Sequence, residues 1–129
     1  MPARALMTVT VLAETPVGLM LLLSPPLVPR LLLAASLEEP AAMIVSRVAG
    51  AALLALSVAC WISRDDGASR AQRGLVAALL IYNLATLAVL AHAGAIAGLG
   101  GGLLWPVAAL HAALAVWCGL VIKEPVRNV

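Results

Sequence analysis

The chain has 129 residues, 64% of them hydrophobic and 11% charged, with a formal net charge of +2. Soluble domains carry roughly 25% charged residues, and a core of this length cannot absorb so much apolar surface, so the sequence reads as one domain, residues 1–129, dissolved in a bilayer. The small net charge and the lack of a basic stripe interleaved with aromatics exclude nucleic acid as a partner.

The first apolar segment covers about residues 5–23 and is broken by Glu14 and Pro16. Its start, MPARALMTVTVLAETP, has the single basic residue and short apolar run of a secretory leader. Glu14 interrupts that run and no A-x-A site follows, so it reads as the beginning of a span. Next comes SPPLVPRLLLAASLEEP, in which Pro25, Pro26 and Pro29 forbid a continuous helix at its start. The remainder, RLLLAASLEE, suits a short interfacial helix. The second and third spans cover about residues 41–63 and 74–97, joined by the charged loop RDDGASRAQR. The fourth, about residues 103–122, follows the turn GLGGG. Each span approaches the ~20 residues a helix needs to cross hydrocarbon, where only a helix satisfies its own backbone. The expected fold is therefore all-α, an antiparallel four-helix membrane bundle.

Basic residues orient it. Arg4, Arg64, Arg70, Arg73, Lys123 and Arg127 fall on the side of the termini and the second loop; only Arg30 and Arg47 fall elsewhere. The positive-inside rule then places both termini in the cytoplasm. Trp61 and Trp117 near the cytoplasmic ends, and Trp105 near the outer end, suit interfacial belts. Cys60 and Cys118 form no C-x-x-C or zinc pattern and read as buried small hydrophobes. Ser46/Gly50, Ala51/Ala55/Ala59 and Gly94/Gly98 have the spacing of close helix approach, within the chain or between copies in a homo-oligomer. Gly50 also makes room beside Arg47. Ser57, Thr86, Thr8 and Thr10 can satisfy carbonyls of their own helices.

Polar residues at depth are costly, about 2.5–3.5 kcal/mol for a charge, and need partners. Counting 1.5 Å per residue from the expected span ends puts Glu14 ~14 Å, Arg47 ~9 Å, His92 ~8 Å and His111 ~12 Å below the outer surface. One residue comes from each span, so the four are expected in one outward-biased cluster, with Tyr82 and Asn83 deeper. Arg47 and Glu14 form the natural ion pair, and removing Arg47 should then destabilise the bundle. His92 and His111 can bond neighbouring polar groups, relay protons, or ligate haem or a metal. Adjacent helices lie ~8–10 Å apart, which leaves little space for a macrocycle unless they splay. A metal would want a third ligand, for which only Glu14 lies at that depth. No phosphate-binding glycine loop, nucleophile elbow or H-E-x-x-H is present.

Arg47-x-x-Gly50 in the second span, Tyr82-Asn83 in the third, and Trp105-Pro106 followed by His111 in the fourth resemble a group of small four-span proteins from GC-rich bacterial genomes. His92 lies outside that pattern. The resemblance covers most of the chain and implies a bacterial inner-membrane protein, without an activity. The expected function is a non-catalytic accessory or small-ligand-binding subunit that uses Glu14, Arg47, Tyr82, Asn83, His92 and His111. It would act alone, as a homo-oligomer, or within a larger membrane complex, and would need no cofactor. The alternatives are an oligomeric transporter or channel and a haem or metal protein using His92 and His111.

Overall fold

The computed structural model describes residues 3–67 and 69–123. They form five helices: α1 (Ala3–Leu23), α2 (Leu27–Leu33), α3 (Pro40–Ser63), α4 (Arg70–Ala95) and α5 (Leu104–Lys123). All but α2 are long and apolar enough to cross a membrane. At 20 to 26 residues each, they extend about 30–39 Å, against a hydrocarbon core of about 30 Å. Arg127, counted above for orientation, lies outside the described residues.

α1 runs unbroken through Pro16, whose ring faces outward. In lipid, breaking the helix there would strip partners from more backbone groups than the one carbonyl a proline leaves unpaired. α4 starts at Arg70, earlier than the apolar run suggests. Ser69 caps it: the Gln72 amide donates to Ser69 Oγ at 3.0 Å. The buried Gln72 side chain turns outward from its own helix and donates to the carbonyls of Ser63 at 3.0 Å and Arg64 at 3.4 Å. One residue thus joins the start of α4 to the end of α3. In the same loop, Asp65 pairs with Arg4 at 3.1 Å and Arg64 at 3.2 Å, while the Arg64 guanidinium lies 3.2 Å from the centre of the Trp61 ring.

The helices associate as two pairs. α1 packs chiefly on α3 and α4 on α5, and contacts between the pairs are sparse. Gly18 and Gly50 mark the α1–α3 crossing. A Cβ on Gly50 would lie 2.7 Å from the Gly18 carbonyl oxygen and 2.8 Å from the Leu22 nitrogen. Gly50 therefore makes room for α1 rather than for Arg47. At the other pair, a Cβ on Gly94 would meet Leu104 Cδ2 at 2.7 Å and the Trp105 ring at 2.9 Å.

The two ends of the helices differ. At one end Leu6, Met7, Cys60, Val76, Leu79, Leu114 and Cys118 form a single buried core, with both thiols free. At the other end α2 lies across the helices. Pro29 fits its first turn, where no amide donor is required. The short helix is shifted from the expected Arg30–Glu39. It stops at Leu33, where Ala34 takes a left-handed φ of 52°. Its last carbonyls are already taken: Gly101 N–H donates to Leu32 O at 2.8 Å and Leu103 N–H to Leu31 O at 3.3 Å. A Cβ on Gly101 would run into the Leu31 carbonyl, so only glycine permits this approach.

Candidate ligand-binding site

Between α2 and the long helices is a cavity of about 240 Å³. Its walls include Val17 and Leu21 of α1, Leu53 of α3, Leu90 of α4 and Val107 of α5. Val28, Leu31 and Leu32 of α2 roof it, and Glu14, Tyr82, Thr86 and His111 supply its polar lining.

The polar groups hold one another in place. Tyr82 Oη donates to Glu14 Oε2 at 2.8 Å, a bond between the two helix pairs. Glu14 is only 4% exposed. Among the described residues its other oxygen, Oε1, has no hydrogen-bond partner. The Tyr82 ring meets His111 edge-on, with centroids 5.6 Å apart and an interplanar angle of 80°. Behind them, His111 Nδ1 lies 2.8 Å from Asn83 Oδ1, and Asn83 Nδ2 donates to the Leu79 carbonyl at 2.8 Å. A carbonyl can only accept, so the amide nitrogen must face Leu79 and the amide oxygen His111. His111 Nδ1 is then the donor, and in the neutral ring Nε2 is an acceptor.

Four of the six sequence-derived residues come together: Glu14, Tyr82, Asn83 and His111. Arg47 does not join them. The glycine crossing sets the register, with Gly18 against Leu53 and Leu54 and Gly50 against Leu21 and Leu22. Continued along the helices, that register sets Glu14 level with Ser57. Arg47 is ten residues from Ser57, about 15 Å along the axis. It is exposed beside Pro40, Met43 and Ile44. The expected Glu14–Arg47 pair is therefore replaced by Glu14–Tyr82. The depth count failed because it measured from span ends, not from the crossing.

His92 is also exposed. The inward positions of α4 are Val76, Leu79, Asn83, Leu90 and Ala93, and His92 is rotated about 100° from Ala93. Its backbone carbonyl closes α4 by accepting from Ile96 and Ala97. The two histidines do not share a site, and no group of three His, Cys, Asp or Glu able to hold a metal ion occurs among the described residues.

No family model, curated protein or solved structure matches the chain. The geometry alone carries the functional argument. It adds Thr86 and the α2 residues to the site. Thr86 follows Tyr82 by four residues and precedes Leu90 by four, which sets all three on one helical face. That spacing was readable in advance. The roofing role of α2 was not, because it depends on a loop far along the chain. Ser57, expected to bond its own helix, instead has a buried hydroxyl without a partner among the described residues.

Proposed function

We propose that the protein is a multi-pass membrane protein whose cavity binds a small molecule with an apolar body. Its four spans form an antiparallel bundle with both termini in the cytoplasm. Arg4, Arg64, Arg70, Arg73 and Lys123 at the ends nearest the closed core support that orientation. The bacterial inner membrane is the location implied by the resemblance.

The cavity of about 240 Å³ under α2 carries the reading. Binding sites combine mostly apolar walls with a few placed polar groups. Here the walls are leucine and valine, and the polar groups are restrained by hydrogen bonds to one another. Such an arrangement suits holding a ligand more than transforming it, so the role is that of a non-catalytic binding subunit.

The test is uptake of a probe into nanodiscs. A cavity of 150 Å³ holds benzene, so this one holds roughly ten heavy atoms. Butylbenzene and 3-phenylpropylamine have that size. Discs with the protein should take up at least one of them in excess of empty discs, at one molecule per chain. Val107→Trp, which places an indole in the cavity, should abolish the excess. Equal uptake by wild type and Val107→Trp would sink the reading.

A further inference from the structure

We infer that the cavity selects a protonated amine carried on an apolar body, an inference that rests on the ligand-binding reading above.

The hydrogen-bonding capacity of the lining decides the class. Tyr82 spends its proton on Glu14 Oε2. Glu14 Oε1 keeps its lone pairs with no partner among the described residues, although the residue is 4% exposed and lines the cavity. Asn83 commits its nitrogen to Leu79 and its oxygen to His111, which leaves His111 Nε2 as a second acceptor. The Thr86 hydroxyl can give its proton to the Tyr82 hydroxyl oxygen one turn back. The site therefore presents acceptors, one of them a carboxylate.

Among the described residues no cation pairs with Glu14. The described ion pairs of arginine involve Asp65 and not Glu14. Arg30 and Arg47 are both exposed. In low-dielectric surroundings a carboxyl keeps its proton unless a partner charge and donors hold it ionised. An ammonium group supplies both, with up to three N–H donors. A carboxylate or carbonyl ligand would set acceptor against acceptor. The volume limits the enclosed part of the molecule to roughly ten heavy atoms, and the valine and leucine walls require that part to be hydrocarbon.

Three probes of similar length separate the possibilities in the nanodisc assay: 3-phenylpropylamine, its neutral counterpart butylbenzene, and the anion 4-phenylbutyrate. Glu14→Gln retains an oxygen for Tyr82 while removing the charge. The amine should bind at least tenfold more tightly than butylbenzene, and 4-phenylbutyrate should show no excess over empty discs. Glu14→Gln should reduce amine binding to the level that butylbenzene shows on the wild type. Equal binding of amine and butylbenzene by wild type, or an amine affinity unaffected by Glu14→Gln, would overturn the amine inference and leave the cavity reading intact. No probe bound above the Val107→Trp level would overturn both. The wild-type comparison decides the question even if Glu14→Gln does not fold.

Discussion

The two ends of the molecule solve the same packing problem differently. At the closed end, Leu6, Met7, Val76, Leu79 and Leu114 interdigitate with two free thiols. At the cavity end, each helix pair contributes polar groups, and a bond between Glu14 and Tyr82 bridges a space that side chains do not fill. Sparse contact between the pairs is thus compatible with a closed core at one end and a void at the other. Apolar packing provides the cohesion of the closed end. The cavity end is held by a few directional bonds, and those can be removed one at a time.

The largest expected effect lies in the closed core. Leu79→Ala removes a fully buried side chain and should cost about 2–5 kcal/mol, measured by reversible unfolding in mixed detergent. Its loss should also loosen the carbonyl to which Asn83 donates, so the defect should spread toward the cavity. A loss as small as that of a surface substitution would break the contrast between the ends.

Next is the bridge. Tyr82→Phe leaves Glu14 buried without its hydrogen bond, at a cost of about 1–3 kcal/mol. The same substitution made with Glu14→Leu should cost less than the sum of the two singles. Strict additivity in that double-mutant cycle would mean the bond contributes nothing to joining the helix pairs.

Arg47→Ala should have the smallest effect, within about 0.5 kcal/mol, because the side chain is exposed and unpaired among the described residues. The ion pair suggested by depth along the sequence would instead make this a severe change. One unfolding curve distinguishes the two registers.

That contrast shows what the sequence can reveal. The apolar segments identify the long helices because lipid leaves the backbone few alternatives. Glu14, Tyr82, Asn83 and His111 announce themselves by their cost at depth. Which of them meet is another matter. It depends on a crossing where Gly18 and Gly50 let two backbones touch, and no one-dimensional count contains that crossing. His92 and Arg47 have the right residue types and the wrong rotation or level. Gln72 gave a fair signal, since Ser69-Arg70-Ala71-Gln72 has the spacing of a capping box. Its side chain nevertheless serves the end of α3.

The bonds from Gly101 and Leu103 to the end of α2 also carry an order of events. Leu31 and Gly101 are about 70 residues apart in the chain. At about 5–20 residues per second of synthesis, the roof waits on the order of ten seconds for the loop that anchors it. During that interval Glu14 has been made, while Tyr82 arrives only shortly before the loop. The nascent chain therefore carries an open half-site until the loop before α5 has been made. The cavity gains its roof only once Gly101 and Leu103 have been made.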